Sequence, residues 1–113
     1  MHEISVLEKV VQLCRKAAEE NKVENIKEIS LTVGELSGYL PYFFTEYFPI
    51  ITKDEPLFEG TKLNIHETRG EALCKECGAM YKVSTTEGAC PRCGSRNKTI
   101  LGGDEFRLEQ LIV

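Results

Sequence analysis

The amino-acid sequence predicts an α+β fold, with two helices packed on a three-stranded sheet and an inserted four-cysteine zinc ribbon. Two apolar stripes recur at helical spacing, three short segments alternate between apolar and polar residues, and a Cys-x-x-Cys motif occurs twice. A chain of 113 residues can hold one small core. We therefore expect residues 1–68 and 100–113 to build one α+β domain, and residues 69–99 to form the ribbon.

The first helix is predicted over residues 4–21, where apolar side chains recur at every third or fourth position. Its stripe consists of Ile4, Leu7, Val11, Cys14 and Ala18. Because Cys14 lies on this stripe, we interpret it as a small core residue rather than a reactive thiol. A second stripe covers residues 40–51. Pro41 suits a first helical turn, whereas Pro49 lacks a backbone N–H and is expected to kink or end the helix.

Three strands are predicted from alternating polarity. The first ends at Gly34 and the second leads into the ribbon, and their apolar residues are Ile29, Leu31, Val33, Leu63 and Ile65. His66 falls on the opposite face of the second strand, so we expect an exposed histidine rather than a ligand. The third strand follows residues 102–104. It is predicted to hold Phe106, Leu108 and Ile112 on one face, with Leu111 and Val113 on the other.

The doubled motif consists of Cys74 and Cys77, then Cys90 and Cys93, with twelve residues between the pairs. A glycine follows each pair, which suits a metal knuckle because the chain there usually needs positive φ. Four thiolates at about 2.3 Å suit structural Zn²⁺ and leave no position for water or substrate. Iron stays open, since a rubredoxin-like site has the same all-sulfur tetrahedron.

Disulfide bonds are the other common use of paired cysteines. No signal peptide precedes them, and Cys14 is a fifth, unpaired cysteine. Both features favour a reducing compartment, so we expect a cytoplasmic protein.

Charge is distributed unevenly along the chain. The net charge is −4, but residues 69–99 carry six Lys/Arg against three Glu, so the acidic excess lies in the remainder. Four thiolates on one Zn²⁺ would bring the ribbon to about +1. Without a basic stripe, nucleic acid is not an expected partner. No apolar run approaches the ~20 residues that cross a membrane, so a membrane is not expected either.

The first three residues, Met1, His2 and Glu3, offer a chelating set of nitrogens. The terminal amine, the deprotonated amide nitrogen of His2 and His2 Nδ1 can close a five-membered and then a six-membered ring. Three nitrogens in one plane suit square-planar Ni²⁺ or Cu²⁺. Because the amine and the imidazole must both be neutral, such a site should lose its metal on mild acidification.

These features together resemble those of one protein family. Met1-His2-Glu3 before an amphipathic helix, Val-Gly-Glu-Leu-Ser at residues 33–37, the paired cysteines and Gly-Asp-Glu-Phe at residues 103–106 are similar to the HypA/HybF nickel metallochaperones of [NiFe] hydrogenase maturation. The resemblance spans essentially the whole chain. It implies that His2 is the essential nickel ligand, with Glu3 beside it in the recognition motif. The structural Zn²⁺ ligands that it implies are Cys74, Cys77, Cys90 and Cys93.

The resemblance also implies partners for the chain. These are a nickel-handling maturation GTPase and the hydrogenase large subunit, with urease served in some organisms. The chain would be a binding and transfer protein with Ni²⁺ as transient cargo, and not an enzyme. Its state could be a monomer or a homodimer. One departure concerns the ribbon: several relatives carry histidines beside the zinc cysteines, and this chain has none there.

Two other functions stay open on the residues themselves. A zinc-ribbon adaptor could bind protein or nucleic acid, and a rubredoxin-like protein could carry electrons on iron. Colour distinguishes the second from a zinc protein. A hydrolase or transferase is not indicated, because the chain has no glycine-rich phosphate loop.

Overall fold

A computed structural model describes residues 3–113. In chain order its elements are α1 (Glu3–Glu20), β1 (Glu28–Gly34), α2 (Pro41–Ile51), β2 (Lys62–Thr68), β3 (Glu71–Cys74), β4 (Met80–Lys82), β5 (Lys98–Gly102) and β6 (Phe106–Ile112). Single turns of 3-10 helix lie at Pro56–Phe58 and Val83–Thr85. None of the helices within residues 3–113 is both long enough and apolar enough to span a bilayer.

The first sheet has the strand order β2-β1-β6 and forms, with α1 and α2, what we call the helix–sheet unit. β1 pairs with β2 in parallel because α2 supplies the crossover that a parallel pair needs. β6 pairs with β1 in the antiparallel direction. The predicted α+β architecture, with two helices on a three-stranded sheet, is therefore confirmed.

Apolar side chains of β1 and α1 meet at the centre of this unit. Fully buried members are Leu7, Val11, Cys14, Ile29, Leu31 and Val33. The predicted first helix and the core position of Cys14 are confirmed. At its far side, α1 is tied to the loop after α2, because Arg15 Nε donates a hydrogen bond to Glu55 Oε2 at 3.1 Å.

The sequence predicts that Pro49 kinks or ends the second helix. In the structure the helix does not end there. α2 continues to Ile51, and the Thr52 N–H and Oγ1 both bond to the Phe48 carbonyl, at 3.1 and 2.8 Å. Phe44 and Phe48 anchor the helix in the core. The single backbone bond that Pro49 cannot make would involve an exposed turn, where water can satisfy the free carbonyl.

The predicted faces of the third strand are wrong in their second half. Leu31 lies opposite Leu108, but Ile29 lies opposite Leu111, so the register shifts by one residue between them. This β-bulge inserts one extra residue and reverses the alternation beyond it. Leu111 therefore packs on the core, whereas Ile112 is 38% exposed.

The second sheet has the order β4-β3-β5, and both pairings are antiparallel. We call this sheet and its four cysteines the ribbon. It has a small core of its own, made by Ala72, Cys74, Tyr81 and Cys90. β5 runs from Lys98 to Gly102, so the sheet extends past residue 99, and the predicted division of the chain into domains stays a prediction.

His66 lies on the open face of the first sheet, in register with Thr32 of β1. Its side chain is exposed, as the alternation predicted. The molecule as a whole is elongated, with extents of 54 × 25 × 18 Å, because the ribbon continues from the end of the sheet where β2 finishes and β6 begins.

Candidate metal centre

Two turns of the same design hold the four cysteines. The N–H of Gly78 donates to the carbonyl of Cys74 at 3.0 Å, and the N–H of Gly94 donates to that of Cys90 at 2.8 Å. Both glycines have positive φ, 76° and 78°, where an L side chain would be strained. The first cysteine of each pair also donates its own N–H across the turn, to Ala79 or Ser95 at 2.8 Å. The predicted metal knuckles are therefore present.

The four sulfur atoms converge on one point. All of them lie within 4.8 Å of one another, with Cys74 Sγ 3.5 Å from Cys93 Sγ and Cys77 Sγ 3.6 Å from Cys90 Sγ. These separations far exceed a disulfide bond of about 2.05 Å. They match the edges of about 3.8 Å in a tetrahedron whose metal–sulfur bonds are about 2.3 Å. The four residues therefore fit a closed Zn²⁺ site, and they fit tetrahedral iron equally well.

The acidities of the thiols favour a bound cation. Burial raises the pKa of Cys90, but the N–H groups of Cys93 and Arg92 outweigh it and bring that pKa to about 6. The N–H of Ser95 lowers the pKa of Cys93, but the neighbouring thiols, led by Cys74, outweigh it and raise that pKa to about 12. The four thiols thus lose a first proton easily and resist losing the last one. A divalent metal removes this resistance by compensating the accumulated charge.

The surroundings shield one side of the site more than the other. Cys74 and Cys90 are 1% and 2% exposed in one cluster with Tyr81, whereas Cys93 is exposed. Burial raises the pKa of the Tyr81 hydroxyl, which donates to the Gly88 carbonyl at 3.4 Å. Sequence reasoning did not assign Tyr81 a place here, although its position between exposed Met80 and Lys82 fits a buried strand residue.

The predicted nickel ligands are the first residues of the chain, far in sequence from the four cysteines. Met1 and His2 fall outside the described residues, and Glu3 is the first residue of α1. The nickel site therefore stays a prediction. Within residues 3–113, the four ribbon cysteines are the only group of three or more His, Cys, Asp or Glu residues placed to hold a metal together.

The fold and this centre define a class: a small metal-binding protein with a four-thiolate ribbon attached to a helix-covered sheet. The family model described as HypA, hydrogenase/urease nickel incorporation, metallochaperone, matches residues 1–113. The chain belongs to the HypA family, and the resemblance read from its motifs is confirmed.

Individual relatives agree with this assignment. The hydrogenase maturation factors HypA of Alkalilimnicola ehrlichii and of Geobacter metallireducens are each 34% identical over 113 residues, which covers 100% of this chain and 99% of each relative. The solution structure of the Ni metallochaperone HypA from Helicobacter pylori is 29% identical, with a TM-score of 0.65 over 99% of this chain and 97% of that one. A second solution structure, of a HypA protein, gives 29% identity and a TM-score of 0.69 over 99% and 95%.

Proposed function

We propose that this protein binds Ni²⁺ at its amino terminus and delivers it for the maturation of [NiFe] hydrogenase. The match of the nickel-incorporation family over residues 1–113, which includes Met1-His2-Glu3, is the observation that carries this proposal. The family description also names urease, which we include as a second recipient. A maturation factor of this kind transfers a metal rather than catalysing a reaction.

The nickel ligands in this proposal are the Met1 amine, the His2 amide nitrogen and His2 Nδ1, with Glu3 completing the motif. Three nitrogens of one short segment form two fused chelate rings, which a square-planar Ni²⁺ ion favours. A transfer protein must also release its cargo. A site at a chain terminus suits release, because few other groups have to move.

The ribbon is assigned a resident metal rather than cargo. Its four thiolates fill every position of a tetrahedral ion, so Zn²⁺ there would stabilise the fold and leave no position open for exchange with a partner. A colourless protein that retains one zinc ion per chain is expected. A red protein with bound iron would instead support the electron-carrier alternative.

Partners follow from the same function. We propose a nickel-handling GTPase and the hydrogenase large subunit as the proteins that this chain contacts in the cytoplasm, as a monomer or a homodimer. Outside residues 69–99 the sequence is acidic, which favours protein partners over nucleic acid.

Nickel titration of two histidine variants tests the proposal. The chain has two histidines, so His2→Ala should abolish specific Ni²⁺ binding and His66→Ala should leave it intact, with the zinc content unchanged in both. Calorimetry with parallel metal analysis measures this. One or two residues added before Met1 should weaken nickel binding almost as much as His2→Ala, because the amine becomes an amide. Nickel lost from His66→Ala and kept by His2→Ala would overturn the assignment.

A further inference from the structure

Two short connections join the ribbon to the helix–sheet unit. β2 ends at Thr68 and β3 begins at Glu71, and β5 ends at Gly102 while β6 begins at Phe106. Two connections of two and three residues would by themselves allow the ribbon to rotate relative to the helix–sheet unit. The noncovalent contacts at this junction decide whether it does.

Two sequence motifs without a role in metal binding meet at this junction. The first, at residues 33–37, covers the end of β1 and the turn after it, and the second lies at residues 103–106. Their backbones are bonded directly: the Gly34 N–H donates to the Glu105 carbonyl at 2.7 Å and the Leu36 N–H to the Gly103 carbonyl at 2.5 Å. The turn after β1 thus contacts the connection before β6 and also the end of β2, since the Glu35 N–H donates to the Thr68 carbonyl at 2.8 Å.

The Glu35 side chain extends from this turn to the connection that leads into the ribbon. Its Oε1 accepts the Gly70 N–H at 3.0 Å. Gly70 accepts in turn from the Val83 N–H at 2.9 Å, which ties the connection to the 3-10 turn of the ribbon. One side chain of the helix–sheet unit therefore bonds to the connection that leads into the ribbon.

Three buried glycines allow the backbones to approach this closely. A Cβ atom on Gly34 would overlap the Gly103 carbonyl, and one on Gly103 would lie 2.5 Å from the Gly70 Cα. A Cβ on Gly70 would lie 2.6 Å from the Leu36 side chain. The junction is close-packed, so the two units pack together only when each of these residues keeps its position.

We propose that Glu35 is a positioning residue that latches the ribbon to the helix–sheet unit and fixes the direction in which the four-cysteine centre faces. The hydrogen bond from the Gly70 N–H is the main contact of this latch, because Glu35 accepts it from the opposite side of the junction. The ion pair with Arg69, at 3.5 Å, contributes little, since the Arg69 side chain is 71% exposed. Orientation is a property of the described residues, so a failure of the nickel assignment would leave the latch in place.

Residual dipolar couplings of the zinc-loaded, full-length protein test the latch. In the natural protein one alignment tensor should fit the amides of both units. In Glu35→Ala the ribbon should lose this common tensor and show a smaller alignment than the helix–sheet unit, while zinc is retained. Glu109→Ala is the matched control, because it removes a carboxylate of the same sheet that pairs with Arg107 of β6 rather than with the junction turn.

Two conservative variants identify the chemistry that holds the ribbon. Glu35→Gln keeps an oxygen that can reach Gly70 and removes the charge, so the common tensor should survive. Glu35→Asp keeps the charge but is one methylene too short, so the tensor should split. This pair remains decisive even if Glu35→Ala fails to fold. A common tensor in Glu35→Asp, or a split in Glu35→Gln, would overturn the proposal.

Discussion

The five cysteines of this chain have two different chemistries, and their surroundings decide which. Cys14 is fully buried among aliphatic side chains of the helix–sheet unit, and burial raises the pKa of its thiol to about 11. Within the described residues it belongs to no group of side chains placed to hold a metal, and it forms no disulfide bond. The ribbon thiols instead receive backbone N–H groups and face one another. Residue type alone therefore does not identify a ligand, but position on an apolar stripe or in a knuckle does.

Alanine substitutions at two buried cysteines separate these chemistries. Cys14→Ala should keep one metal ion per chain and lower the free energy of unfolding by about 1 kcal/mol, because one packed sulfur atom is removed. Cys90→Ala also removes a buried sulfur atom but should lose the metal and unfold the ribbon. Metal analysis and urea unfolding measure both effects. A metal-free Cys14→Ala protein would contradict the ligand assignment.

At the scale of elements, the β-bulge in β6 determines which carboxy-terminal side chains support the core. Leu111→Ala should cost roughly 2 kcal/mol of unfolding free energy, because Leu111 packs on the core cluster. Ile112→Ala should cost less than about 0.5 kcal/mol, as expected for a surface position. Chemical denaturation of the two neighbouring variants measures the difference. Equal costs, or a larger cost at Ile112, would mean that the alternation continues without a bulge.

Sequence patterns predicted the elements well where the signal is local. The stripe of α1, the alternation of β1 and β2 and the two cysteine pairs all involve residues a few positions apart. The bulge in β6 was missed, because it depends on which residue of a distant strand lies opposite each position. The path of α2 at Pro49 was left open between a kink and an end for a related reason: burial of Phe44 and Phe48 outweighs one missing hydrogen bond.

The candidate metal centre was predictable to the individual residue, and the junction was not. Cys-x-x-Cys spacing is set by the geometry of one ion, so the four cysteines could be grouped before their sulfur atoms were seen to converge. The contact between Glu35 and Gly70 joins residues 35 positions apart, and nothing in the spacing of either signals the other.

For the whole molecule, two carboxylates at the junction, those of Glu35 and Glu105, predict how the contact between the two units changes in acid. The Gly70 N–H is the main cause that lowers the pKa of Glu35, and the Thr68 hydroxyl is the main cause that lowers the pKa of Glu105. A lowered pKa in the folded state means that each ionised carboxylate stabilises the junction. This contribution is complete above the unfolded glutamate pKa of about 4.3 and is lost as the pH falls through the lowered folded value.

We therefore expect the amide resonances of Gly70 and Gly103 to shift together below about pH 4, before those of α1 change. A pH series of amide spectra measures this. Arg69 also lowers the pKa of Glu35, and Arg107 lowers that of Glu105, because each guanidinium attracts the ionised carboxylate. A variant with Glu35→Gln and Glu105→Gln should lose the shared transition. An unchanged transition in that variant would assign it to other groups.

The insertion of the ribbon between β2 and β6 has a consequence for synthesis of the chain. β6 is made after the ribbon, yet it must pair with β1, and the whole ribbon separates them. A ribbon already folded around its metal holds its two ends side by side at Gly70 and Gly103. The loop that β6 must close is then short, and a shorter loop has a smaller entropy cost of closure. We expect a nascent chain starved of metal to leave β1 with an unpaired edge, open to strands of other chains.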